Sequence, residues 1–121
     1  MGSYRNLAIY TKSMDLALGV YELTGTFPKS ELYGMTSQIR RCAVSIPSSI
    51  AEGYSRNSTA DFIRFLNIAN GSLSELETQL ELSYRLSYFS DIDAYNSQIR
   101  LIRSMLFKLI KALKARLDDA R

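Results

Sequence analysis

The chain has 121 residues, 46% of them hydrophobic, and a formal charge of +3, which favours one domain with a core that needs no covalent staple. It has no histidine and a single cysteine, Cys42. That removes the commonest general base, the Ser-His and Cys-His pairs, intramolecular disulfides and any ordinary zinc site.

Four segments carry helical periodicity, and no strand pattern interrupts them. The first runs from about Arg5 to Thr24, with Leu7, Tyr10, Met14, Ala17 and Tyr21 as its expected core stripe. Gly25 then suits a left-handed cap, and Pro28 bars continuation. The second runs from about Ser30 to Tyr54, with Ser30 as N-cap and Leu32, Met35, Ile39, Cys42, Ile46 and Ile50 as its apolar seam. Pro47 lies inside it, where a proline typically costs ~3 kcal/mol. The seam continues in register across Pro47, so one kinked helix is expected, with Ser45, Ser48 and Ser49 bonding the freed backbone groups.

The third segment runs from about Thr59 to Tyr88, opened by Ser58 and Asp61 as a variant capping box. Phe62, Leu66, Ala69, Leu73, Leu76, Leu80 and Tyr84 alternate at four and three, a coiled-coil-like seam. Gly71, with Ser72 and Ser74 beside it, reads as a point of close backbone approach. The fourth runs from about Asp91 to Leu117, with Ile99, Ile102, Leu106, Leu109, Leu113 and Leu117 facing the core and a fraying tail from Asp118 to Arg121. Short breaks between such helices predict an all-α fold, an antiparallel up-down-up-down four-helix bundle over residues 1–121, with helices at about 5–24, 30–54, 59–88 and 91–117.

Three polar constellations stand out. Between Asp93 and Asp118 the fourth helix carries Arg100, Arg103, Lys108, Lys111, Lys114 and Arg116 without one acid. All but Arg116 share an arc opposite the leucine seam, and Phe107 sits in its middle. An aromatic ring on a basic face suits base stacking or a subunit contact; the alternative is a solvated face whose lysines complement the helix C-terminus. On the second helix, Gln38, Arg41, Ser45, Ser48 and Glu52 form a polar stripe, with Arg40 beside it. Such a stripe suits a hydrogen-bonded interface or an internal network, with Arg41 and Glu52 each finding a partner on another helix or chain. Glu75, Glu77 and Glu81 on the third helix read as solvated charges rather than a metal or acid-base pair. The tyrosines, among them Tyr33, Tyr54, Tyr84, Tyr88 and Tyr95, suit the core edge with wet hydroxyls. No nucleophile or metal cluster accompanies these groups, so no catalytic or metal-binding residues are assigned, no cofactor is implied and a non-enzymatic protein is expected.

The run Phe27-Pro28-Lys29-Ser30-Glu31-Leu32-Tyr33-Gly34-Met35, then Gln38-Ile39-Arg40-Arg41, Ser45-Ile46-Pro47, Ile50-Ala51-Glu52-Gly53-Tyr54 and Arg56, resembles the bacterial four-helix-bundle proteins encoded in intervening sequences of 23S ribosomal RNA genes. So do Arg64-Phe65-Leu66, Ala69, Gly71-Ser72-Leu73 and Glu75-Leu76-Glu77. Ser49 and Cys42 stand where many members carry Asn and Ala. The resemblance implies an up-down-up-down bundle and a ring-like homo-oligomer, a pentamer. The accessory variability proteins of diversity-generating retroelements are similar; they are basic pentamers that bind nucleic acid and associate with a reverse transcriptase. Gln38, Arg40, Arg41, Ser45, Glu52, Gly53 and Arg56 carry over as family-pattern positions, structural or binding.

The expectation is therefore a homo-oligomer that binds RNA or DNA through summed basic faces. The alternatives are an adaptor that docks a reverse transcriptase or another protein, and a purely structural oligomer. A helical ribonuclease that uses histidine is disfavoured. No apolar run approaches the roughly 20 residues that span a bilayer, and Met1 to Arg5 lack the apolar region of a signal peptide. With one cysteine, these point to the cytoplasm and no membrane.

Overall fold

A computed structural model describes residues 3–119. They form four α-helices: α1 (Ala8–Thr24), α2 (Met35–Ser55), α3 (Thr59–Arg85) and α4 (Ile92–Asp119). Short 3-10 turns at Tyr4–Asn6 and Lys29–Glu31 precede α1 and α2, and no strand occurs among the described residues. Met1, Gly2, Ala120 and Arg121 lie outside the described residues, so the expected fraying can be followed only to Asp119, where the backbone is still helical.

Local chemistry sets the helix ends, and several of them differ from expectation. Helix α1 starts at Ala8 rather than Arg5, because Leu7 is extended (φ −76°, ψ 126°). Gly25 is not a left-handed cap; its φ of −62° is right-handed, and its N–H bonds Tyr21 O. Ser30 does not cap α2. Gly34 breaks the helical path at ψ −110°, and the Glu31 carboxylate accepts the Met35 N–H from outside (3.2 Å). Ser58 does cap α3, accepting the Asp61 N–H at 3.1 Å, but Asp61 pairs with Arg64 (3.8 Å) instead of completing a box. Helix α3 stops at Arg85, three residues early, in a Schellman pattern: Ser87 takes φ 65°, its N–H bonds Tyr84 O, and the Tyr88 N–H bonds Ser83 O.

Contacts between helices run in opposite senses. From α2 to α3, Cys42 meets Glu75, Ser45 meets Ser72, and Gly53 meets Phe65. At the other edges Arg40 reaches Tyr21 and Thr24 of α1, Tyr95 reaches Gly19, and Arg103 reaches Ser74 and Glu77. Each helix packs on its two neighbours, α1 on α2 and α4, and α3 on α2 and α4. The result is an antiparallel four-helix bundle with a square cross-section.

The core is aliphatic. Leu16, Ile39, Ile46, Ile50, Leu66, Leu73, Leu76, Leu80, Ile99, Ile102 and Leu106 are essentially fully buried, each contributing roughly 1.5–3 kcal/mol of burial. Pro47 sits within α2, which runs on unbroken to Ser55. Among the described residues the freed backbone is not bonded by Ser45, Ser48 or Ser49; Ser45 instead bonds Ser72 (2.8 Å). The burial of Ile46 and Ile50 on either side of Pro47 offsets the lost bond.

The α1 stripe is the main correction. Ile9, Ser13, Leu16, Val20 and Thr24 face inward, and of the expected stripe Ala17 is buried with them, whereas Met14 and Tyr21 are exposed and Leu7 and Tyr10 are only partly covered. Two apolar stripes, one residue and about 100° apart, run along this helix. The compact aliphatic one fills the core, and the Tyr-Met one is left facing outward. Similar shifts leave Leu32 and Tyr84 exposed, with Ser83 buried in place of the latter. Gly71 is exposed, and a Cβ there would meet nothing within 4 Å, so it permits no close approach.

Candidate nucleic-acid interface

Helix α4 buries Ile99, Ile102, Leu106 and Leu113. That places Arg103, Phe107, Lys111 and Lys114 along its edge with α3, where they line a groove of about 490 Å³. Its other wall is Asn67 and Asn70 of α3, with Leu106 and Ile110 beneath. Phe107 is 67% exposed, the most exposed phenylalanine among the described residues. Arg103 is half-buried and fixed by Glu77 (2.9 Å) and Ser74 (3.4 Å). Arg100 and Lys108 lie outside the groove on the exposed surface; Arg100 bonds Ser97 (3.2 Å).

Sequence periodicity found the cationic wall and missed Asn67 and Asn70. Single asparagines in a helix carry no pattern; only the packing of α3 on α4 shows their position. The Asn67 amide donates to Ile63 O (3.1 Å), whereas the Asn70 side-chain oxygen is shielded from solvent without a partner. The three glutamates of α3 are each engaged: Glu75 accepts from Cys42 (3.1 Å), Glu77 holds Arg103, and Glu81 pairs with Arg85 (2.8 Å). No group of three or more metal-ligating side chains gathers among the described residues.

The polar positions of α2 separate into different roles. Arg40 donates from Nε to Thr24 (2.8 Å) and from a terminal nitrogen to Tyr21 O (3.3 Å), and its guanidinium lies over the Tyr21 ring. It thereby neutralises the carbonyl end of α1. Gly53 is buried where α2 crosses α3; a Cβ there would stand 2.6 Å from the Phe65 Cβ. Within the chain Glu52 does not reach another helix but pairs with Arg56 one turn on (2.9 Å). Arg56 and Arg64 both lie over the Phe65 ring. Gln38 and Arg41 are exposed and make no side-chain hydrogen bond among the described residues. Ser48 lines a second groove, of about 410 Å³, between α1 and α2. Met14, Leu18, Tyr21, Val44 and Pro47 give that groove an apolar lining.

Tyrosines gather where the α1–α2 and α3–α4 connections meet. The Tyr88 hydroxyl donates to Glu31 (2.7 Å), and Tyr95 donates to Gly19 O (3.3 Å). Tyr33, by contrast, is 93% exposed. Among the described residues no helix is long and apolar enough to cross a membrane.

A solved structure from Bacteroides thetaiotaomicron, described as a protein of unknown function from the S23 ribosomal protein family, is 31% identical to this chain. The match covers 85% of this chain and 95% of that one, with a TM-score of 0.78. None of the curated proteins matches. The family model of the 23S rRNA-intervening sequence protein matches residues 5–108, which takes in all of α1, α2 and α3, the Gly53 crossing and α4 as far as Lys108, with Ile110, Lys111 and Lys114 of the groove beyond the match: the chain belongs to that family.

Proposed function

We propose that this protein is a non-enzymatic homo-oligomer that binds nucleic acid, RNA in the first instance, through the α4 face. The observation that carries this reading is the convergence of Arg103, Lys111 and Lys114 on one groove with an exposed ring between them. Between Asp93 and Asp118 α4 carries no acid of its own; Glu77 of α3 pairs with Arg103, which leaves Lys111 and Lys114 as the uncompensated cations of the groove among the described residues. Lysines and arginines so placed contact phosphates and give affinity with little sequence preference. Several copies would multiply a net charge of only +3 per chain.

Binding of labelled RNA at rising salt tests this. The affinity falls with salt, and changing Arg100, Lys108, Lys111 and Lys114 to Glu abolishes it; a single such change that frees one phosphate lowers the log–log salt slope by roughly 0.7–0.9. No binding at low salt to single- or double-stranded RNA or DNA overturns the reading.

Self-association is supported by the α1–α2 groove, where Leu18 is 61% exposed beside Met14, Tyr21 and Val44. A contiguous apolar face of this kind suits burial against another chain. The pentamer implied by the family resemblance is tested by sedimentation, and a monomer at micromolar concentration contradicts it. The second reading, an adaptor that docks a reverse transcriptase or another protein, is favoured by this same groove. It predicts that partner capture survives the α4 charge reversals and is lost on Leu18→Glu.

A further inference from the structure

We propose that the α3–α4 groove seats one unstacked base of a single-stranded nucleic acid against Phe107, so that the protein prefers single strands to duplex. This rests on the reading of α4 as a nucleic-acid surface and names what that surface takes. A nucleobase presents a flat apolar face and a polar edge, and the groove offers a surface for each. Phe107 supplies an exposed ring over an apolar bed made by Ile110 and Leu106. The opposite wall supplies amides. The Asn67 carbonyl is left as an acceptor once its amide has bonded Ile63, and the Asn70 side-chain oxygen has no partner at all.

An unsatisfied buried acceptor is unfavourable, and a small rotation of Asn70 toward a base edge would satisfy it, since an amide both donates and accepts. The volume lies within the range of small-molecule sites. Lys111 and Lys114 follow the ring one and two turns further along α4, so the backbone of the same strand would run along cationic side chains. The charge distinguishes this occupant from an apolar peptide. No acidic side chain lines the groove; of its three cations Arg103 is paired with Glu77, and Lys111 and Lys114 carry the net positive charge. In a duplex the faces of the bases are stacked within the helix, and the major groove of A-form RNA is too narrow for side chains to read. Phe107 would then gain nothing.

The chain contains no tryptophan, so Phe107→Trp places a unique fluorophore in the groove. Titration with a single-stranded oligouridine is expected to quench the indole emission, and a duplex of equal length is expected not to. In parallel, Phe107→Ala is expected to weaken binding of a labelled single strand roughly 5- to 150-fold and to leave duplex binding unchanged. An unmoved indole under saturating single strand, native affinity in Phe107→Ala, or equal affinity for single strand and duplex each overturns base seating. In those cases the broader reading stands as long as the α4 charge reversals still abolish binding. Absence of all binding at low salt overturns both.

Discussion

Two glycines in this bundle have opposite physical meanings. Gly53 is buried at the α2–α3 crossing, where an added Cβ would lie 2.6 Å from the Phe65 Cβ and 3.1 Å from a Phe62 ring carbon. Gly53→Ala is expected to cost about 1–3 kcal/mol by overpacking, read as a lower urea midpoint. Gly71 is exposed in mid-helix with open space around it, so Gly71→Ala is expected to stabilise by about 0.5–1 kcal/mol. If both changes destabilise alike, the difference in packing between the two sites is wrong. Cys42 also departs from a plain reading. Burial, reinforced by its hydrogen bond to the Glu75 carboxylate and by that group's charge, pushes the thiol up to about 12. The thiolate is the reactive form, so alkylation by iodoacetamide at pH 8 should proceed only as fast as the protein opens. Labelling at the rate of a free thiol contradicts this.

At the scale of elements, the link between the loops is sensitive to pH. The Tyr88 hydroxyl, and secondarily the Met35 N–H, hold the Glu31 carboxyl below its ordinary value of 4.5. The same bond to Glu31 raises the Tyr88 hydroxyl above its ordinary 10.0. The depressed acid contributes stability above pH 4.5 that is lost as pH falls through its folded value. The raised phenol contributes below pH 10.0, and that part is lost as pH rises through its folded value. Tyr88→Phe should therefore reduce stability most in the interval between and flatten both limbs of the melting temperature against pH; an unchanged profile contradicts it.

Most of the helices were legible in the sequence, because runs such as Leu66, Ala69, Leu73, Leu76 and Leu80 admit one burial solution. The buried face of α1 was not, because two neighbouring apolar stripes compete there and the partner helices decide which is buried. The starts of α1 and α2 were hidden for a related reason. Gly25 and Ser30 carry the residue types of caps, while Leu7 and Gly34 make the actual breaks in backbone geometry. In the groove, the cations of α4 could be read from their arc, but Asn67 and Asn70 could not, since their positions depend on how α3 meets α4.

At the scale of the whole molecule, the square arrangement sets the α1–α2 groove and the α3–α4 groove on opposite sides of the bundle. Under the proposed function, one side joins copies and the other meets the ligand, so the two tasks can be separated by mutation. Such a division makes affinity depend on valency. A strand long enough to reach two copies gains from the raised effective concentration at the second site, whereas a strand spanning one groove does not. Leu18→Glu, in the α1–α2 groove and away from the basic residues of α4, should then weaken binding of long strands by roughly 10²- to 10⁴-fold and leave that of very short ones as it was. The length of nucleic acid at which the two proteins begin to differ would measure the distance between neighbouring grooves in the assembly.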